Sequence, residues 1–136
     1  VRRITAPLTA ALTAVVLGGC GGADQSAQVK AAVLAYGNAV AAKDYAKICS
    51  LFAPSLLQQM ASINLPCTTA LARSNLRTVI KPTLSVVSVK VTGQSAVAEV
   101  HTGAANQKPV DTTLGLVKVA KGWRLASLTS PTPPGK

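Results

Sequence analysis

Val117-Lys118-Val119-Ala120-Lys121-Gly122-Trp123-Arg124-Leu125 is the stretch from which the fold can be read. Apolar and cationic residues alternate up to Lys121-Gly122, a turn signal, and the alternation resumes in Trp123-Arg124-Leu125. Period-two alternation on both sides of a glycine turn predicts a β-hairpin with one buried face. Working back from it, Val110 to Ala120 reads as a long strand. Its apolar phase slips at Leu116-Val117, as a bulge would cause. Gly103 to Pro109 reads as a polar loop. Ala96, Ala98 and Val100 alternate with Val97, Glu99 and His101, and Thr92-Gly93-Gln94 is a turn. Ser85 to Val91 is a strand with Val87, Val89 and Val91 on one face. The last strand ends near Leu128, and residues 130–136, with three prolines, read as a disordered tail.

Upstream of Lys81-Pro82 the period changes. Val29, Ala32, Val33, Tyr36 and Val40 recur at helical spacing in an alanine-rich segment, with Asp24 or Ser26 to cap its start. Ala42-Lys43-Asp44 is a break, and Asp44 caps a second, short helix that turns Ile48, Leu51 and Phe52 inward. Pro54 suits the first turn of a third helical piece carrying Leu56, Leu57 and Met60. Leu65-Pro66 forces a bend, after which a helix is expected from Thr69 to Val79, showing Leu71, Leu76 and Val79. Helices followed by an antiparallel meander make an α+β domain with the helices on one sheet face. Its 136 residues amount to one domain, and with 49% hydrophobic against 13% charged residues the chain is not disordered.

Residues 1–19 read as an address. Arg2 and Arg3 precede an uncharged run, Ile4 to Leu17, too short and too interrupted to span a bilayer permanently. Leu17-Gly18-Gly19-Cys20 then resembles the bacterial lipobox. In that motif small residues admit the backbone to the peptidase, and the thiol accepts a diacylglyceryl group. The expected organisation is a cleaved signal peptide over 1–19, a lipidated Cys20 with a flexible tether over 20–26, and one domain over 27–129. The expected location is the extracytoplasmic face of the cell membrane, held there by acyl chains. Cys49 and Cys67 remain, an even pair in an oxidising compartment, and are expected to form a disulfide. Two cysteines, one histidine and four acids fall short of a metal site at usual spacing, so neither metal nor cofactor is expected.

The order of elements resembles the nuclear transport factor 2-like cone fold, shared with ketosteroid isomerase-like, SnoaL-like and limonene-epoxide-hydrolase-like proteins. Tyr36 and Tyr45 around the Asp44 break, Cys49 to Pro54 and the closing hairpin carry the likeness, which covers about residues 27 to 128. Small actinobacterial lipoproteins of this superfamily often carry a cysteine pair at comparable places, and the chain is similar to them. The resemblance implies a strongly curved sheet enclosing a pocket against the helices, with Tyr36, Phe52, Val100 and Trp123 as candidate lining. It also implies that homodimers through the sheet are frequent among relatives.

Fourteen Lys and Arg against four acids, a net charge of +10, favour anionic partners. Nucleic acid is set aside: the cations are scattered, and only Trp123, Phe52, Tyr36 and Tyr45 could stack on bases. No residue is assigned a catalytic role. Asp44 reads as a helix cap, Tyr36 as core with its hydroxyl at the pocket mouth, and Trp123 as a staple between the last hairpin and the helices. Glu99 and His101 read as a solvated strand face and Asp111 as exposed. Catalysis in relatives places a carboxylate base beside an oxyanion donor. Here it would require Tyr36, Asp44, Glu99 or His101 to converge in one cavity. The expectation is therefore a non-enzymatic, lipid-anchored protein that binds an apolar small molecule or lipid in its pocket. The alternatives are an accessory subunit docking an envelope partner, or a small isomerase or hydrolase.

Overall fold

The computed structural model describes residues 22–128. The expected signal peptide, the lipidation at Cys20 and the tail over 130–136 lie outside them. Helix α1, Gly22–Ala42, buries Val29 and Val33 completely and packs Ala32, Tyr36 and Val40 against the same core. It begins earlier than expected. Residues 22–26, read as part of a tether, are already helical, and Asp24 lies inside the first turn, where the positive helix end favours a carboxylate.

The break at Ala42-Lys43-Asp44 is a Schellman motif. Lys43 takes the left-handed conformation (φ 54°), its N–H donates to Val40, and the Asp44 N–H donates to Ala39. The Asp44 carboxylate then accepts from the Lys47 N–H at 3.1 Å and caps α2, Tyr45–Ser50, as expected. Replacing Asp44 by alanine should cost about 1 kcal/mol of stability, read as a lower urea midpoint with unchanged m-value.

Helix α3, Pro54–Ser62, has Pro54 in its first turn. Helix α4, Cys67–Arg73, starts directly after the Leu65-Pro66 bend. It does not run on to Val79. The Ser74 hydroxyl donates to the Leu71 carbonyl at 2.6 Å and accepts from the Leu76 N–H at 3.3 Å, pulling the backbone out of the helix. A separate 3-10 turn, Asn75–Thr78, follows.

Strands β1 (Thr83–Thr92), β2 (Ser95–Ala104), β3 (Gln107–Val119) and β4 (Gly122–Leu128) form an antiparallel sheet in the order β1-β2-β3-β4. Three details differ from the sequence reading. Val87 is not on the face of Val89 and Val91. The register passes from Val86↔Val100 to Ser88↔Glu99, so Val87 is the extra residue of a bulge and is 61% exposed. Gly103 to Pro109 is not a loop: Ala104 pairs with Gln107 across a two-residue turn, Ala105-Asn106. The Asn106 side chain holds that turn down, accepting from the Ile80 N–H at 3.0 Å and donating to the Thr78 carbonyl at 2.9 Å. Finally, β3 keeps strict alternation through Leu114 and Leu116. The irregularity near Leu116 sits on β4, where the pairing steps from Leu125 to Ser127.

All helix packing is on the inner face. The core joins Val29, Val33, Ile48 and Phe52 to Ala98, Val100, Leu116, Trp123 and Leu125. The segment after α2 is bonded to the open edge of β4, Leu125 donating to the Leu51 carbonyl and accepting from the Ala53 N–H. Cys49 and Cys67 form the expected disulfide. Trp123 is buried, and its Nε1–H donates to Gln25 Oε1 at 3.1 Å, which staples the last hairpin to α1.

Candidate functional site

The strand directions give the domain two ends. One holds the start of α1 and the β1–β2 and β3–β4 turns, joined where the Lys118 N–H donates to the Gln94 carbonyl. At the other, the second half of α1 passes over the start of β1 and the β2–β3 turn. A Cβ placed on Gly37 would stand 3.1 Å from Leu84 Cβ, so glycine at this position lets α1 lie directly on β1.

Beside that contact a groove of about 170 Å3 opens, lined by Tyr36 and Val40 of α1, Val79, Leu84, and the ends of β2 and β3. The groove is smaller than the roughly 300 Å3 at which sites for drug-sized ligands begin. Its floor is apolar. Thr83, Thr102, Gln107 and Lys108 supply polar groups, and no carboxylate is among its lining residues. Tyr36 stacks at a tilt on Phe52, with ring centroids 6.4 Å apart. Burial raises the pKa of its phenol above the usual 10.0, so at neutral pH it is a hydrogen-bond donor and not an anion.

That shift has a consequence for stability. Below the unfolded-state value, Tyr36 is protonated in both states and contributes no pH dependence. Above it the unfolded chain releases the proton more readily than the folded one, so stability falls as pH rises from 10.0 through the folded-state value. Tyr36→Phe should lose less stability than the native chain between about pH 9 and about pH 11, measured as the change in urea midpoint.

Of the four side chains expected to line a pocket, the structure brings only Tyr36 to this groove. Phe52, Val100 and Trp123 belong to one buried cluster with Ile48, Leu116 and Leu125, which fills the space between sheet and helices. The four residues weighed for catalysis do not converge. Asp44 is engaged as a cap, Tyr36 lies against the inner core, and Glu99 and His101 point to the outer face. Glu99 accepts from the Ser88 hydroxyl at 3.1 Å, and His101 pairs instead with Asp111, Nδ1 to Oδ1 2.7 Å, across the β2–β3 register. The Ala105-Asn106 turn alone would set His101 opposite Val110; an extra residue of β3 between Gln107 and Val110 shifts the register and brings Asp111 opposite it. Their side chains are 50% and 80% exposed, on a sheet face left open to solvent. A shallow concavity of about 550 Å3 there is lined by Val87, Val110 and Glu99, among others. Among the described residues, no group of three or more His, Cys, Asp and Glu side chains is placed to hold a metal ion.

No family model and no curated protein matches the chain. Solved structures are similar to it. A nuclear transport factor 2-like protein of unknown function from Shewanella baltica OS155 superposes with a TM-score of 0.61 at 12% identity, over 84% of this chain and 100% of that one. A protein described provisionally as a ketosteroid isomerase, from Kribbella flavida DSM 17836, gives 0.47 at 16% identity, over 80% and 85%. The likeness to the first is one of fold: helices in sequence before a curved four-stranded antiparallel sheet that they cover on one face. The chain has the α+β cone fold of nuclear transport factor 2-like proteins.

Proposed function

We propose that this is a lipid-anchored extracytoplasmic protein that binds a small, largely apolar molecule with a polar or anionic head. The observation behind this reading is the groove at Tyr36. Its lining joins the apolar Val40, Val79 and Leu84 to the un-ionised phenol of Tyr36, to Thr83 and Thr102 and to Lys108. A volume near 170 Å3 suits a compact molecule or the end of one acyl chain. The lipobox-like Leu17-Gly18-Gly19-Cys20 supports the membrane address. Native mass spectrometry of the protein recovered from an exporting host should show a discrete extra mass that is lost on denaturation. Val40→Trp, which fills the groove, should remove that mass while leaving the folded chain. Retention of the same mass in that variant would mean that the ligand sits elsewhere.

A second reading rests on a different observation. Val87, Val97 and Val110 are exposed apolar residues, with Val87 and Val97 on the uncovered outer sheet face and Val110 at the rim of its concavity. An envelope protein or a second copy of this chain docking there would bury them. Crosslinking in native membranes distinguishes this accessory role, since Val97→Arg should abolish the crosslinked species and leave the groove ligand in place.

A further inference from the structure

The domain's charge is arranged in a way that ligand binding does not explain. Toward the end where α1 begins, Lys47 of α2, Lys121 of the β3–β4 turn and Arg124 of β4 ring one open concavity of about 550 Å3 whose remaining lining is mainly apolar, Leu51, Phe52 and Val119 included, with no carboxylate among its lining residues. Lys118 lies on the same hairpin. Of the chain's four acids, Asp24 is at this end. Asp44 is engaged on the Lys47 backbone N–H, three residues before the Lys47 side chain, and Glu99 and Asp111 sit along the outer sheet face. Charge alone does not single out this end, because Lys43, Arg77, Lys81 and Lys108 lie toward the other.

What singles it out is where the chain enters. Gln25, three residues into α1, is bonded to Trp123, so α1 starts against the β3–β4 hairpin. One residue, Gly21, separates Cys20 from Gly22. At roughly 3.3–3.6 Å per extended residue, an acylated Cys20 holds the first turn of α1 within about 7 Å of the bilayer surface. We infer that the Lys47–Lys121–Arg124 concavity is a docking surface for anionic phospholipid headgroups, which seats the domain hairpin-down on the membrane. The inference rests on the proposed anchor at Cys20. The groove then faces away from the bilayer, because Tyr36 lies fourteen residues along α1 from Gly22, about 21 Å at 1.5 Å per residue. A ligand would therefore arrive from the envelope side and not directly from the adjoining leaflet.

Ala120, in the Ala120-Lys121 turn between β3 and β4, is exposed and lines the concavity, so a label there reports on this arrangement. The experiment incorporates the full acylated chain, carrying Ala120→Cys labelled with a fluorophore, into phosphatidylcholine vesicles with or without phosphatidylglycerol and measures quenching of that label by lipids brominated near the headgroup. Each cation at an anionic surface shifts the docked population roughly fivefold, so three together shift it roughly a hundredfold. Quenching should be strong with phosphatidylglycerol. It should be weak without it, weak in about 1 M salt, where the Debye length is about 3 Å, and weak in the Lys47→Gln, Lys121→Gln, Arg124→Gln variant. The salt arm needs no charge variant to fold. Equal quenching in all four samples, with the chain floating alongside the vesicles, would overturn headgroup docking and leave the anchor standing. A chain that does not float with vesicles at all would overturn the anchor, and the docking with it.

Discussion

Trp123→Ala should destabilise the domain by about 3–5 kcal/mol, a large part of the 5–15 kcal/mol that holds a domain of this kind folded. Two effects combine. The indole is 3% exposed and belongs to the cluster that joins α1 to the sheet, so its removal leaves a cavity lined by side chains that cannot all collapse into it. Its Nε1–H is also the tie to Gln25, the contact that fixes the first turn of α1 to the hairpin. Trp123→Phe separates the two. It keeps most of the ring volume, loses the hydrogen bond, and should cost nearer 1 kcal/mol beyond the small loss of packing. Gln25→Ala removes the same bond from the other side. The Gln25→Ala and Trp123→Phe pair should therefore be non-additive by about 0.5–1 kcal/mol in a double-mutant cycle. Urea unfolding followed by far-UV circular dichroism measures all of these without relying on tryptophan fluorescence. If Trp123→Ala cost under about 1 kcal/mol, the hairpin would not be held to α1 by this residue.

The elements read well from sequence were those whose period is undisturbed. Strand β2 carries no extra residue at its centre, and Ala96, Ala98 and Val100 are buried in the order that alternation implies. The Asp44 break was legible because a short carboxylate after a polar residue is both a stop and a start signal, and it performs both roles here. Val87 was misplaced because alternation cannot show where one residue has been inserted into a strand. In Leu84-Ser85-Val86-Val87-Ser88-Val89, the bulge decides which valine turns outward. The polar character of Gly103 to Pro109 predicts a loop between β2 and β3. Ala-Asn lacks the asparagine–glycine signature of a two-residue turn, and what stabilises it is a long-range clamp from Asn106 to the 78–80 segment. The same kind of long-range effect hid the end of α4. Leu71, Leu76 and Val79 keep a helical spacing past Arg73, while the bonding of the Ser74 hydroxyl takes the backbone out of the helix.

The groove was legible in part for a related reason. Tyr36 stood out because it is the one polar tip on the apolar stripe of α1. Its companions come from β1, β2, β3 and the segment before them, and without the register nothing links Thr83 to Thr102 or Lys108. Phe52, Val100 and Trp123 were correctly read as facing inward. Whether inward side chains enclose a space or fill it depends on their summed volumes against the curvature of the sheet, which a linear pattern does not carry.

Removing the Cys49–Cys67 bridge as the Cys49→Ala, Cys67→Ala pair should cost about 3 kcal/mol, the loop-closure entropy that eighteen intervening steps restore to the unfolded chain. The loss should be uneven. The bridge ties the end of α2 to the first residue of α4, and the loop it closes contains α3. Helix α3 has no fully buried side chain; Leu56, Leu57 and Met60 only lean on the core. The sheet, by contrast, carries a continuous ladder and the buried residues Ala98, Val100, Leu116 and Leu125. With the bridge gone, α3 should open at free energies below global unfolding, so hydrogen exchange should lose protection over residues 54–65 before β2 or β3 changes. Reductant added to the native chain should lower the urea midpoint to that of the double variant and do nothing to the variant itself. The same sheet that resists local opening holds Trp123 and Leu84, so the groove and the hairpin end should keep their geometry while α3 frays. A uniform loss of protection across sheet and helices would instead mean that α3 and the core unfold as one unit, with the disulfide acting only through the unfolded chain.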